Sequence, residues 1–79
     1  MSSLPARKFT SLAVEIKVAS DMLVVYLADG RIISVPLEWF PRLRDASAEE
    51  RNNWRLIGGG AGIHWEEIDE DISVEGLLS

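Results

Sequence analysis

The chain reads as a small α+β domain: a three-stranded N-terminal antiparallel meander and a short C-terminal hairpin, with one or two short helices. Three observations predict this. Residues 12–35 alternate apolar and polar positions around two turn signals. A Ser-x-x-Glu box, Ser47 to Glu50, opens a helical stretch. Two short apolar segments, Leu56-Ile57 and Ile63-His64-Trp65, flank the run Gly58-Gly59-Gly60-Ala61-Gly62.

The elements follow in order. Residues 1–8 form an arm that we expect to be flexible, and residues 9–79 a single compact domain. From Leu12, the side chains of Leu12, Val14, Ile16 and Val18 share one face of a strand, and Ala13, Glu15 and Lys17 the other. Ala19-Ser20-Asp21 is a turn. Met22 to Ala28 is a second strand, rich in β-branched and aromatic residues. Asp29-Gly30 predicts a two-residue type I′ hairpin. Arg31 to Val35 is the return strand, and Pro36 ends the pairing.

That turn sets a register in which Leu27 faces Ile32, Tyr26 faces Ile33 and Val24 faces Val35. One face then carries Leu23, Val25, Leu27 and Ile32. The other carries Val24, Tyr26, Ile33 and Val35. Both faces are apolar, so the outer one is expected to meet a second subunit or the C-terminal segment.

Leu37 to Leu43 predicts a short helical turn limited by Pro41. Ser47 caps a helix from about Ala48 to Trp54, with Glu49 and Glu50 in its first turn and Arg51 and Arg55 near its end. Asp71 or Ser73 caps a final turn that buries Leu77 and Leu78.

Composition excludes several function classes. The chain has 79 residues, 47% of them hydrophobic, enough for a core in a domain that buries only about 60% of its unfolded surface. It has no cysteine, which removes disulfides, thiolate zinc sites and cysteine catalysis and fits a cytoplasmic setting. Residues 1–8 lack the apolar run of a signal peptide, and no window nears the roughly 20 apolar residues of a membrane span. The net charge of −5 argues against direct nucleic-acid binding, which depends on Lys and Arg neutralising phosphates.

The candidate chemistry sits in the tail. It holds the single histidine, His64, beside Trp65, and six of the thirteen acidic residues, with no Lys or Arg beyond Arg55. The glycine run lacks the Gly-Lys-Ser/Thr ending of a phosphate loop and the dinucleotide spacing, and reads as a flexible hairpin connection. His64 has no second His or Cys to complete a zinc site, and Glu66, Asp69 and Glu70 are its candidate partners for acid–base work. Glu66, Glu67, Asp69, Glu70 and Asp71 do not fit the EF-hand spacing; they read as a solvated face suited to docking a basic protein. No cofactor is expected, and no residue is assigned as catalytic or metal-binding. Trp39 and Trp54 are expected in the core and Trp65 at a partner. Arg42, Arg44, Arg51 and Arg55 form the basic cluster and are expected to offset the acidic tail, within the chain or across a dimer.

The stretch Leu27 to Leu43, the segment Asn53-Trp54-Arg55-Leu56-Ile57 and the tail from Gly62 to Leu78 together resemble a bacterial family of small uncharacterised proteins, "domain of unknown function 2442". The resemblance covers roughly residues 12–79. It implies a compact α+β domain with a small antiparallel sheet. Some members are fused to a helix-turn-helix, and some are encoded beside a second small protein in suspected toxin–antitoxin pairs. A direct DNA-binding role is not carried over, and no catalytic residue is implied.

The expected function is therefore a non-enzymatic protein-interaction module, antitoxin-like or regulatory. Its partner is a small basic protein or a further copy of itself in a homo-oligomer, with no membrane contact. The expected contact residues are His64, Trp65, Glu66, Glu67, Asp69, Glu70 and Asp71, with Tyr26, Ile33 and Val35 on the outer hairpin face. The alternative is a small ligand- or metal-binding domain or enzyme built on His64 and nearby carboxylates.

Overall fold

The computed structural model describes residues 11–78, so the expected N-terminal arm lies outside the described residues. Two three-stranded antiparallel sheets form the architecture. The first is β1 (Ala13–Val18), β2 (Met22–Leu27) and β3 (Ile32–Pro36) in that order. A 3₁₀ turn at Leu37–Trp39 and the helices α1 (Pro41–Arg44) and α2 (Ala48–Asn52) lead to the second sheet. That sheet is β4 (Trp54–Ile57), β5 (Gly62–Trp65) and β6 (Glu70–Ser73), followed by α3 (Val74–Leu77). Among the described residues, no helix is long and apolar enough to cross a membrane.

The β2–β3 register differs from the expected one by a single residue. Tyr26 pairs with Ile32, Val25 with Ile33 and Leu23 with Val35. The loop has three residues, Ala28-Asp29-Gly30: Gly30 N–H donates to Leu27 O at 3.1 Å, and Leu27 N–H to Arg31 O at 2.9 Å. Gly30 has φ +95° while Asp29 stays at negative φ, so only one turn position is left-handed and a type I′ pair is ruled out. The Asp29 carboxylate accepts from Arg31 N–H instead. A one-residue slip moves every side chain to the opposite face. Ile33 and Val35 therefore turn inward, with Val35 buried, and Ile32 turns outward, 61% exposed.

A bulge at Val14 does the same to β1. Ala13 pairs with Leu27, Glu15 pairs with Tyr26, and the extra residue lies between them. Ala13 and Ile16 are buried and Val14 is exposed, the reverse of the expected parity for Ala13 and Val14.

One core joins the sheets. Leu23, Val25, Leu27 and Val35 of the first pack with Ile63, Trp65 and Ile72 of the second, together with Leu37, Leu43 and Val74. The C-terminal segment thus covers the inner face of the first sheet, not its outer one. Pro41 ends the 3₁₀ turn and opens α1, where its missing N–H is no loss. The Ser47–Glu50 capping box forms in full, with Ser47 N–H to Glu50 Oε1 at 2.9 Å and Glu50 N–H to Ser47 Oγ at 3.1 Å. Arg51 donates to Leu43 O at 3.2 Å and Arg44 O at 2.6 Å, tying α2 to the end of α1.

The glycine run is a close-packed turn, not an open loop. Gly60 is buried at φ +108°, and a Cβ there would lie 2.4 Å from Ala13 O. Its missing side chain lets the β4–β5 connection rest on the β1 backbone. Ser73 caps α3 by accepting from Gly76 N–H at 3.3 Å. Leu77 is half-buried, but Leu78 is 38% exposed and does not enter the core as expected.

Candidate functional site

The second sheet turns Ile63, Trp65 and Ile72 into the core, so the residues between them face outward. Pairing aligns these outward residues in rows: Arg55, His64 and Asp71 in one, and Ile57, Gly62 and Ser73 in the next. β6 had no expected strand. Its acids read as a solvated run, yet Asp71, Ile72 and Ser73 alternate out, in and out. That alternation was the available signal.

His64 stands at the centre of the site, its side chain 14% exposed. Its Nδ1 lies against Asp71 Oδ1, and its Nε2 is 3.2 Å from Glu66 Oε1. Arg55 Nη2 reaches the same Glu66 oxygen at 3.2 Å. The hydrogen bond to Asp71 raises the imidazole pKa above its ordinary 6.5, and the charges of Asp71 and Glu66 add to it. Partial burial and Arg55 oppose the rise without reversing it.

Asp71 and Glu66 sit on opposite nitrogens of one ring, so the three groups do not converge on a single cation. Among the described residues, no three His, Cys, Asp or Glu side chains form a metal-sized cluster. The acid run is divided between a turn and a strand. Glu66-Glu67-Ile68-Asp69 make the turn, with Asp69 left-handed at φ +52°, and Glu70 and Asp71 alternate along β6.

Two shallow hollows open on this face. One, of about 260 Å³, is lined by Asn53, Trp54, Arg55, His64 and Glu66. The other, a groove of about 340 Å³, lies over Gly62 between Ile57 and Ser73, with Asp71 on its wall. Neither was legible as a motif.

The structure separates the expected contact residues. His64, Glu66 and Asp71 meet, and Glu67 and Asp69 are exposed on the adjoining turn. Trp65 does not reach a partner. It is wholly buried, because a residue next to an outward His64 must point inward, and its Nε1–H donates to Arg51 O at 3.0 Å. Trp39, expected in the core, is 61% exposed, while Trp54 packs half-buried against the core. Ile33 and Val35 belong to the core side, which removes them from the outer hairpin face; Tyr26 remains there, half-buried. Of the four arginines in the basic cluster, Arg55 is the one paired with a tail carboxylate, Glu66, among the described residues; Arg44 pairs with Glu38 and Asp45, while Arg42 and Arg51 donate to backbone carbonyls, Arg42 to Asp69 O at 2.9 Å.

A family model described as "Protein of unknown function (DUF2442)" matches residues 13–79. The fold is similar to the crystal structure of a protein of unknown function from Rhodospirillum rubrum ATCC 11170. That similarity has a TM-score of 0.73 and 29% identity, and covers 85% of this chain and 83% of that one. No curated protein matches the chain.

Proposed function

The chain belongs to the DUF2442 family of proteins of unknown function, and because that membership confers no activity, we propose from its own geometry that it is a non-enzymatic protein-interaction module with an anionic contact face. One observation carries this reading: both ring nitrogens of His64 face carboxylates. A general base needs an unprotonated nitrogen within reach of a substrate proton. An imidazole engaged on both nitrogens presents neither to a substrate and acts as a strut that fixes Glu66 and Asp71 on an open sheet face.

The partner that fits is a small basic protein, drawn by the exposed acids of the β5–β6 turn and by the net charge of −5. An antitoxin-like or regulatory member of a two-protein system, working in the cytoplasm, is the biological form of this proposal. Self-association would use the outer face of β1–β3, where Val14 and Ile32 are exposed. A sheet of three short strands spans only about 20 by 14 Å. That is well short of the roughly 800 Å² per partner of a stable interface, so a homo-oligomer formed there alone is weak.

The hollow beside His64 supports a second reading, a small-ligand site. It requires Glu66, 67% exposed, to swing away from Nε2.

The test is capture of partners from the source organism with the tagged full chain, at about 0.1 M and about 1 M salt. The expected result is a basic protein held at low salt, released at high salt, and not held by a Glu66→Lys/Glu67→Lys variant. If native and charge-reversed chains retain the same proteins, the reading fails.

A further inference from the structure

The groove over Gly62 has a composition that selects its occupant. Its floor is the Gly62 backbone, and the missing side chain lets Ile57 lean over it: a Cβ there would lie 3.0 Å from Ile57 Cγ1. One wall is Ile57, 38% exposed, an apolar side chain left in water by the open sheet face. On another wall stands Asp71, whose side chain is 69% exposed. Oδ1 is turned to His64, which leaves the second oxygen of the carboxylate to accept from another donor. At about 340 Å³ the groove lies at the lower edge of the roughly 300–1,000 Å³ that ligand pockets occupy, so it suits a single long side chain better than a cofactor.

We propose that this groove receives one arginine side chain of the basic partner, its aliphatic stem lying on Ile57 and the glycine floor and its guanidinium on the Asp71 carboxylate. A stem that is apolar with a cation at its end matches an apolar trough with an anion on its wall. His64 fixes the position of that anion through Oδ1, so the carboxylate is in place before the partner arrives. The proposal rests on the contact-face reading and names the anchor within it.

The test uses the full chain, ¹⁵N-labelled, titrated with Nα-acetylarginine methylamide and followed by amide shifts. The control probe is the citrulline analogue, which keeps the length and loses the charge. The expected result is saturable shifts centred on Gly62, Asp71 and Ser73 for the arginine probe. The midpoint should be roughly two- to fivefold weaker for citrulline and for Asp71→Asn, as expected on losing an exposed ion pair. Gly62→Ala, with its dispersed spectrum as proof of folding, should weaken both probes by pushing Ile57 out of its place on the groove wall. Equal binding of the two probes, or shifts centred on Trp39 or Tyr26, overturns the assignment. Binding that appears only after removal of residues 1–10 gives the groove to the chain's own Arg7 and Lys8 and overturns it too. Because the titration needs no partner, its failure removes the groove alone, whereas failure of the capture removes the contact reading.

Discussion

Trp65 and Trp39 are the sharpest pair for testing the packing. Trp65→Phe removes the indole N–H that donates to Arg51 O at 3.0 Å, a net loss of about 1 kcal/mol. It also removes part of a ring that is wholly buried, leaving a small void in the core worth about another 1 kcal/mol. The sum, about 2 kcal/mol, is a large share of the roughly 4–12 kcal/mol expected for a domain of this size. In thermal unfolding it should lower Tm by roughly 8–16 °C. Trp39→Phe, at a site 61% exposed, should stay within about 0.5 kcal/mol of the parent. Urea unfolding followed by circular dichroism measures both, and acrylamide should quench Trp39 emission while sparing that of Trp65. If the Trp39 substitution costs as much as the Trp65 one, the inward parity of β5 is wrong, and so is the outward position of His64.

Three further outcomes are expected. Ser47→Ala breaks the capping box at the start of α2 and should cost about 1 kcal/mol in chemical denaturation. Gly60→Ala should be the most damaging glycine change, because its Cβ would meet Ala13 O at 2.4 Å and its φ is +108°; Gly59→Ala, with open space around it, should cost only about 1 kcal/mol, and equal Tm losses would contradict the packed turn. Stability should also depend on His64. Its folded pKa is raised above the unfolded 6.5, so its contribution is complete below pH 6.5 and lost as pH rises through the folded pKa. Tm measured from pH 6 to pH 9 should fall more in the parent than in His64→Gln.

Much of the fold was legible because period and caps are local signals. The Ser47–Glu50 box formed as read, and the strand Ile63-His64-Trp65 was located, its inward and outward sides left to the packing. The register was not legible. Ile32 and Ile33 are both apolar, so hydrophobicity leaves the parity of β3 undecided, and the decision fell to a turn whose length turned on the φ of one residue, Asp29. The bulge at Val14 is invisible for the same reason: an apolar residue moved outward leaves no trace in the pattern. Trp39 and Trp65 were misread by residue type: parity set His64 opposite Ile63 and Trp65, and the packing decided which side is inward. β6 was hidden under its charge, since acids at Glu70 and Asp71 mask a strand carrying one inward residue, Ile72. Of the site, His64, Glu66 and Asp71 were visible as residues. Their meeting, and the groove over Gly62, required the pairing of three strands.

The contact face depends on His64 being held as a strut between two carboxylates. As the only histidine in the chain, it gives a single imidazole signal in a two-dimensional ¹H–¹⁵N spectrum, which reports the protonation of each nitrogen separately. A strut of this kind has a titration midpoint above 6.5 that returns toward that value in Asp71→Asn. A midpoint below 6.5 in the parent, with one nitrogen free at neutral pH, would contradict it and return the imidazole to the list of possible bases.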